Sequence, residues 1–445
     1  MSNLFDPALV KTFAEDRDYL ASTQIPIITV SGTYREDAKR MHGLPNNNTS
    51  RDIVLSRAHY SMAIAIAVQA WGGAKTAGMD PAKAWLADPT NFVSTKDWFS
   101  VSFTEKVGMT LARHPLLKLA KDFVDKFGRS KLPILNSITN PLLFLTEKVE
   151  RPILSFHVAA GNILAAQGKK VVQVITDPHV RLEYLTHAEN KNVHFCVFDD
   201  ATRLEFLEKA AIQGIKADAN RLTVTGPPVD PRIIEARKNK NPWRSGPLHL
   251  CITTGGLGTN KTEIESLLQQ ILPELRKKRG NEIRLLIYAG THSDICQLVE
   301  EMAKQHRVPV GKLSEKTAKL RVIYHPQIID ANELLIKHAF PWADGFISKP
   351  SGDMAYDAVC SGSFLLTLQE WGEWEHNVRA TLEHNEVARK ADPKNILPQL
   401  EVLMSAKDKS QSWVEEAMHN ALKLEKLFFN GAKNIVEAHQ KFSGK

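Results

Sequence analysis

Two turns rich in Gly, Ser and Thr are the segments of this sequence best suited to chemistry. The first, TTGGLGTN at 253–260, follows an apolar run and precedes a helical pattern. The second, SKPSGD at 348–353, follows the apolar run 345–347. Glycines let backbone N–H groups approach an anion closely, and a helix that begins after such a turn adds N–H donors. The two turns together predict a phosphate or nucleotide site, and an ordinary structural turn is the alternative for each.

The residues after the second turn predict a βαβ unit that could hold a sugar or a nucleotide. A short helix begins near Met354 and ends at Gly362, as expected of a glycine C-cap. Asp357 lies one turn into this helix, where its carboxylate can accept hydrogen bonds from sugar hydroxyls. The first turn matches neither of two known phosphate motifs, because the third glycine of GxGxxG is missing and GxxxxGK[ST] does not occur.

Polar residues at the ends of predicted strands in the N-terminal half are candidate bases. His157 follows ILSF, Asp177 follows VVQVIT, and His59 lies within SRAHYS. Such residues can take a proton from a hydroxyl group, and a structural hydrogen-bonding role is the alternative for each. His292 and Asp294 in AGTHSD also follow a strand and are candidates for lining a cleft. The remaining histidines lack metal-ligand spacing, so no metal site is expected.

From residue 152 onward, predicted strands alternate with predicted helices, which favours parallel sheets with right-handed crossovers. The pattern restarts after a polar segment that contains two prolines. Two α/β domains joined once suggest a cleft, and open α/β sheets bind ligands at the carboxyl ends of their strands. The predicted organisation is an N-terminal domain at 1–238, a linker at 239–247, a second domain at 248–412 and a closing helical region at 413–445.

Four further segments carry local predictions. The polar stretch 32–52 predicts a long mobile loop, 53–70 a helix, and 74–100 irregular structure. The segment 111–127 is apolar on one face and carries several basic residues, and it overlaps a basic stretch at 113–131. Such a helix either lies on an anionic membrane surface or packs on its own domain.

The composition is that of a globular protein, with 43% hydrophobic and 24% charged residues in 445. There is no apolar run of about 18 residues, and the N-terminus lacks the apolar core of a secretory signal. The four cysteines are far apart, as expected of reduced thiols, so we expect a cytoplasmic protein. A net charge of +7 suits nucleic acid, an anionic membrane or a phosphorylated ligand, but no nucleic-acid-binding signature accompanies it.

The order of the motifs resembles one group of GT-B glycosyltransferases. VVQVITD is followed by RLTVTGPPVDPRI, CITTGGLGTN, ISKPSGDMAYDAVCSG and GEWEHN. This order is similar to that of monogalactosyldiacylglycerol synthase, processive diacylglycerol glucosyltransferases and the lipid II-forming N-acetylglucosaminyltransferase. The resemblance covers roughly residues 150–392, and 349–362 aligns without a gap to the family segment TKAGPGTIAEAL..G.

The resemblance implies an α/β protein of two Rossmann-like domains that face a central cleft, with a C-terminal helix packing back. It implies metal-independent transfer of a sugar from a nucleoside-diphosphate donor, expected to be UDP-linked, to a hydroxyl acceptor. A lipid at the inner face of the membrane is one candidate acceptor, and no cofactor besides the nucleotide sugar is implied. The implied nucleotide-sugar-binding residues are Gly255, Gly256, Gly258, Thr259, Lys349, Ser351, Gly352, Asp357 (ribose), Glu373 and Asn377 (sugar), and the candidate bases are His59, His157 and Asp177.

The sequence departs from the family pattern at functional positions. The family has a Gly-Gly-x-Gly-His loop after the first strand, whereas here SGTYRED follows and His59 comes after a polar insertion. Ser351 and Asp353 replace two glycines, Asp357 replaces a glutamate, and Glu373 replaces a glutamine. Two alternatives therefore stay open: a sugar-nucleotide epimerase on the same fold, and a nucleotide-sugar-binding protein without catalysis.

Overall fold

The structure is a computed structural model that describes residues 10–34, 52–76, 78–93, 103, 105–107, 109, 133–276, 283–406 and 411–444. The chain forms two compact units. The first comprises Met1–Pro231 and Lys426–Lys445, and the second comprises Arg232–Glu425. The chain therefore passes between the units twice. The predicted linker at 239–247 lies within the second unit. Whether the predicted domain limits are also the limits of independently folding domains stays a prediction.

The first unit is built on a parallel sheet of six strands, in the order β4-β1-β5-β6-β7-β8. Short apolar runs rich in Val and Ile form most of these strands and are buried, as is typical of parallel sheets. A small antiparallel pair, β2 with β3, follows β1. The strands, numbered in chain order, are β1 Ile25–Ile28, β2 Gly32–Thr33, β3 Ile53–Val54, β4 Ala84–Ala87, β5 Ile153–Ser155, β6 Val171–Val174, β7 Val193–Val197 and β8 Leu222–Val224.

Helices connect these strands and close one hydrophobic core around them. Phe13 of the first helix stacks on Phe92, with ring centroids 4.6 Å apart. The buried Trp85 of β4 donates its indole N–H to Asp16 of the same helix at 2.9 Å, which ties that helix to the sheet edge. The helices of the first unit are Val10–Ser22, Arg57–Trp71, Pro133–Thr146, Val158–Ala166, Asp200–Ile212, Lys426–Phe429 and Gly431–Phe442, with Pro231–Arg237 spanning the boundary to the second unit.

The last helix, Gly431–Phe442, packs on the first unit, which confirms the predicted C-terminal helix that packs back. Asn434 donates its side-chain N–H to the carbonyl oxygen of Thr225 at 2.8 Å, and His439 Nε2 donates to the carbonyl oxygen of Pro152 at 2.7 Å. A Cβ on Gly431 would lie 2.0 Å from the carbonyl oxygen of Pro227. Only glycine therefore lets the helix begin so close to the 226–228 turn.

The second unit contains a second parallel sheet of six strands, in the order β11-β10-β9-β12-β13-β14. Counted from β9, this is the strand order 3-2-1-4-5-6 of dinucleotide-binding Rossmann sheets. The order reverses between β9 and β12, which are neighbours in space although two strands separate them in sequence. The strands are β9 Leu248–Thr253, β10 Ile283–Gly290, β11 Leu320–Tyr324, β12 Gly345–Ser348, β13 Phe364–Thr367 and β14 Ala388–Lys390.

Helices of the second unit enclose a core of leucine, isoleucine and valine side chains from both the sheet and the helices. Gly345 at the start of β12 leaves room for the ring of Phe364, which would lie 2.1 Å from an added Cβ. None of the described helices combines the length and apolarity needed to cross a membrane. The helices are Lys261–Glu274, Ser293–Gln305, Ile328–His338, Met354–Cys360, Glu373–His384, Ile396–Met404 and Trp413–Lys423.

Two local predictions were wrong, one in its starting residue and one in its secondary structure. The helix predicted at 53–70 begins only at Arg57, because Ile53–Val54 pair with β2 first. The segment 74–100, predicted to be irregular, contributes the strand Ala84–Ala87, which pairs with β1 along its whole length. The predicted closing region is helical over most of its described residues, in the three helices Trp413–Lys423, Lys426–Phe429 and Gly431–Phe442. Most of the loop predicted at 32–52, and the basic segments 111–127 and 113–131, lie outside the described residues.

The pH dependence of stability in the first unit should depend on His194. Burial and the nearby charge of Arg221 lower the pKa of this histidine from 6.5 to about 4. As the pH falls below 6.5, His194 is protonated in the unfolded chain but stays neutral in the folded chain until about pH 4. The free energy of unfolding therefore decreases across this window. The loss attributable to His194 is up to about 3 kcal/mol, at about 1.4 kcal/mol per pKa unit.

His194→Gln keeps a partner for Thr223, which lies 2.8 Å from His194 Nε2. Urea unfolding of this variant between about pH 4 and 6.5 should show a shallower pH dependence than the unaltered protein. His384→Gln, at an exposed position, is the control and should leave the slope unchanged. Equal slopes for the unaltered protein and His194→Gln would contradict the assignment.

Candidate functional site

The two Gly- and Ser-rich turns lie side by side at the carboxyl ends of β9 and β12, where the strand order of the second sheet reverses. The hydroxyl of Thr253, the last residue of β9, donates a hydrogen bond to the hydroxyl of Ser348, the last residue of β12, at 2.6 Å. Both residues are buried. This bond fixes the starting points of the two turns relative to each other, at the place where open α/β sheets bind their ligands.

The glycine turn after β9 is closed by its own backbone. Gly258 has φ +65°, and its N–H donates to the carbonyl oxygen of Gly255 at 2.8 Å. Asn260, also left-handed at φ +62°, leads into the helix Lys261–Glu274. The backbone N–H of the predicted ligand residue Gly258 is therefore already used inside the turn.

Two side chains shape this glycine turn further. The buried His292, at the start of the helix Ser293–Gln305, lies with Nε2 3.0 Å from the carbonyl oxygen of Gly256. Thr259 is buried, and its hydroxyl has no hydrogen-bond partner among the described residues. A buried hydroxyl in this position is suited to donate to a bound anion, because it would otherwise stay unsatisfied.

The second turn has an acidic residue, Asp353, at a position where the family pattern has a glycine. Ser351 donates its hydroxyl to Asp353 at 2.6 Å, and its carbonyl oxygen accepts from the N–H of Ala355. Asp353 and Asp357 are each only 6% exposed, at the start of the helix Met354–Cys360. Ser351 and Gly352 thus lie in the turn just before this helix, Asp353 occupies its N-cap position, and Asp357 lies one turn into it.

The helix Glu373–His384 presents the predicted sugar-binding pair. Glu373 is exposed and Asn377 is partly buried, one helical turn apart on the same face. Gly372 precedes the helix and makes room for the Trp374 ring, which would lie 2.3 Å from an added Cβ. The indole ring therefore folds back over the start of the helix.

Lys349 is the predicted ligand residue whose surroundings differ most from the expectation. Its ammonium group lies 2.6 Å from a carboxylate oxygen of Glu375, a residue with no exposed surface. The second oxygen of Glu375 accepts the backbone N–H of Trp371 at 2.6 Å. Sequence reasoning missed Glu375, although its position two residues after Glu373 in GEWEHN was a signal that could have found it.

In the first unit, His59 and His157 lie together where the strand order reverses, between β1 and β5. Their rings meet edge to face with centroids 5.4 Å apart. His59 Nδ1 lies 3.3 Å from the carbonyl oxygen of Val30, next to the end of β1. Because a carbonyl oxygen only accepts, this contact places a proton on Nδ1 and makes Nε2 the basic nitrogen of His59.

The polar insertion does not separate His59 from the first strand in space. The carbonyl oxygen of Ser31, just after β1, accepts the N–H groups of Leu55 and Ser56, each at 2.8 Å. The Ser56 hydroxyl in turn caps the helix Arg57–Trp71 by accepting the N–H of His59 at 3.3 Å. The chain therefore returns after the insertion to the point where it left the sheet.

Sequence reasoning also missed Asp88, which organises the turn after β1. This buried carboxylate accepts the N–H of Ser31 at 2.7 Å, the Ser31 hydroxyl at 2.6 Å and the N–H of Gly32 at 3.3 Å. Burial raises the pKa of Asp88, and hydrogen bonds from Ser31 and Thr90 oppose that shift. Asp88 thus occupies backbone N–H groups that would face a ligand in a glycine-rich loop.

Asp177, the third candidate base, has a charged partner of its own. It follows β6, the strand beside β5, and its carboxylate lies 3.4 Å from the guanidinium of Arg181.

Among the described residues, no group of three or more His, Cys, Asp and Glu side chains is placed to hold a metal ion.

Comparison with solved structures assigns the fold. The chain is similar to Os79 from O. sativa in complex with UDP, with a TM-score of 0.53 and 11% identity over 94% of this chain and 100% of Os79. It is also similar to alpha,alpha-trehalose 6-phosphate synthase from Burkholderia multivorans, with a TM-score of 0.53 and 13% identity over 94% of this chain and 97% of that one. The chain therefore has the GT-B fold, which confirms the predicted fold class. No protein-family model and no curated protein matches the chain significantly.

The hydrogen bond between Thr253 and Ser348 should stabilise the second unit only as a pair. Thr253→Val or Ser348→Ala alone leaves one buried hydroxyl without its partner and should cost about 1–3 kcal/mol. The double variant removes both hydroxyls and should cost clearly less than the sum of the two single changes. Urea unfolding of the four proteins measures this difference, and additive costs would show that the bond does not join the turns.

Proposed function

We propose that this protein is a glycosyltransferase that moves a sugar from a UDP-linked donor to a hydroxyl acceptor. The observation that carries the proposal is the position of the two turns. They flank the reversal of strand order between β9 and β12, and the hydrogen bond between Thr253 and Ser348 joins them there. Rossmann sheets of this order bind nucleotides at that point. UDP is the nucleotide proposed because Os79, which has the same fold, was solved in complex with UDP.

The donor would be held by the second unit. The buried Thr259 hydroxyl and the backbone N–H of Gly352 would donate to the diphosphate, since both residues lie at the carboxyl ends of the central strands. Asp357 would accept the ribose hydroxyls. Glu373 and Asn377, one turn apart on one helix face, would contact the sugar. Fixed donors around the departing diphosphate stabilise charge as it develops, so the proposal requires no metal ion.

The acceptor would be deprotonated by His59 in the first unit. Its Nδ1 is held by the Val30 carbonyl, which leaves Nε2 as the proton acceptor. His157 packs edge to face on the His59 ring and restricts its rotation. Asp177 is a weaker candidate, because its carboxylate is paired with Arg181. The acceptor is proposed to be a lipid hydroxyl, which rests on the resemblance to the diacylglycerol glycosyltransferase group and on the basic segment 111–127.

Nucleotide binding should depend on Asp357. Calorimetric titration with UDP should give saturable binding, and Asp357→Ala should weaken it by about 10–100-fold, as expected for the loss of charge-assisted hydrogen bonds to the ribose. Glu401→Ala removes an exposed carboxylate elsewhere in the second unit and should leave the affinity unchanged. The proposal fails if the unaltered protein binds no nucleoside diphosphate, or if Asp357→Ala binds UDP as tightly.

Turnover should depend on His59. His59→Gln should lower the transfer rate by about 10²–10⁴-fold with little change in UDP affinity, since a general base contributes in that range. His157→Gln, the matched control in the same pair, should lower the rate much less. Transfer is measured as radioactive sugar moved from UDP-glucose, UDP-galactose or UDP-N-acetylglucosamine to diacylglycerol in vesicles.

The same assay separates the two alternatives. An epimerase would convert UDP-glucose and UDP-galactose into each other without any acceptor. A protein that has lost catalysis would bind UDP and release no sugar with any acceptor, and the loop after β1 favours this alternative because Asp88 occupies its backbone N–H groups. Water-soluble alcohols that accept sugar where diacylglycerol does not would overturn the lipid acceptor but not the transferase.

A further inference from the structure

We propose that Glu375 is a positioning residue of the donor site and that Lys349 acts as its internal partner rather than as the cation that binds the diphosphate. This inference rests on the proposed function for its ligand, but its geometry lies wholly within the second unit. The ion pair would hold three segments together: the glycine turn, the turn after β12 and the loop before the helix Glu373–His384.

The Glu375 carboxylate is buried and already paired inside the protein. Glu375 has no exposed surface, and both of its oxygens are occupied, one by the Lys349 ammonium at 2.6 Å and the other by the Trp371 N–H at 2.6 Å. A buried carboxylate is stable only when it is paired and hydrogen-bonded. The positive charge of Lys349 is therefore matched by a negative charge inside the protein before any ligand arrives.

The Lys349 side chain passes directly over Gly255. An added Cβ on Gly255 would lie 2.9 Å from Cε and 3.3 Å from Cδ of Lys349, and 2.5 Å from the Thr259 hydroxyl. The aliphatic part of the Lys349 side chain thus passes so close to Gly255 that a residue with a Cβ at position 255 would clash with it. Gly255 serves this crossing, which explains a glycine at that position without requiring direct contact between its N–H and a phosphate.

The Lys349–Glu375 ion pair holds the start of the helix that carries the predicted sugar-binding residues. Glu375 lies between Glu373 and Asn377 near the start of its helix, and Trp371 lies two residues before that helix, near the end of the loop that leads into it. A change in the Lys349–Glu375 distance would therefore move the start of the helix and the predicted sugar-binding pair with it. Asn260 supports the same loop by donating to the carbonyl oxygen of Gln369 at 3.3 Å.

A double-mutant cycle tests this role. Lys349→Met keeps the stem without the charge, and Glu375→Gln keeps the shape and an acceptor for the Trp371 N–H. Lys349→Met leaves the buried Glu375 carboxylate without its ammonium partner, and Glu375→Gln removes the carboxylate that the Lys349 ammonium contacts. Each should therefore weaken UDP-glucose binding at least tenfold and lower the thermal midpoint by roughly 5 °C or more. The double variant, with no unpaired charge, should recover to within about threefold of the unaltered affinity.

Comparing the affinities for UDP-glucose and UDP distinguishes a positioning role of the ion pair from a general loss of stability. The single variants should lose more affinity for UDP-glucose than for UDP, because the helix that carries Glu373 and Asn377 shifts. The exposed pair Lys433 and Glu437, 3.8 Å apart on another helix, provides the control cycle and should show no coupling.

Two results would overturn the proposal. If Glu375→Gln binds UDP more tightly than the unaltered protein while the double variant binds as weakly as Lys349→Met, then Lys349 is a direct cationic ligand. If the two changes have additive effects on the thermal midpoint, the pair does not hold the segments together. A protein that binds no UDP in any form refutes the proposed function alone, and the thermal-midpoint cycle then still decides on the ion pair.

Discussion

The reversal of strand order in each parallel sheet is the constraint on which the rest of the structure depends. In such a sheet, the connections from the two strands at the reversal leave in opposite directions, so their carboxyl ends stay uncovered. In the second unit these ends carry Thr253 and Ser348, and in the first unit the reversal lies between β1 and β5. Three groups of predicted functional residues, the two turns and the histidine pair, are positioned by these reversals.

The second unit satisfies most of its polar groups internally and leaves few for a ligand. Gly258 closes its own turn, Ser351 donates to Asp353, and Lys349 pairs with Glu375. The Thr259 hydroxyl stands out because no described residue satisfies it. A diphosphate bound here would therefore depend on a small number of neutral donors, and the acidic residues around the turn, Asp353 and Asp357, make that dependence stronger.

The first unit shows how a departure from a family pattern can have a structural cause. The family places glycines after the first strand, whereas this chain has SGTYRED. The N–H groups of Ser31 and Gly32 donate to the buried Asp88, which lies far away in sequence. The turn is thus held by a side chain of the protein, and the helix that carries His59 is attached to the same turn through Ser31 and Ser56.

The sequence by itself determined the fold class, the alternation of strands and helices from residue 152 onward, and the two turns, because hydrophobic periodicity and glycine placement are local signals. It did not reveal the edge strand Ala84–Ala87, whose alanines have little preference for strands and whose pairing with β1 decides its conformation. Nor did it reveal Asp88 or the partnership of Glu375 with Lys349. Only the tertiary structure decided these, because a buried carboxylate is stable only with partners that folding brings to it, and Ser31 and Lys349 are distant in the chain from Asp88 and Glu375.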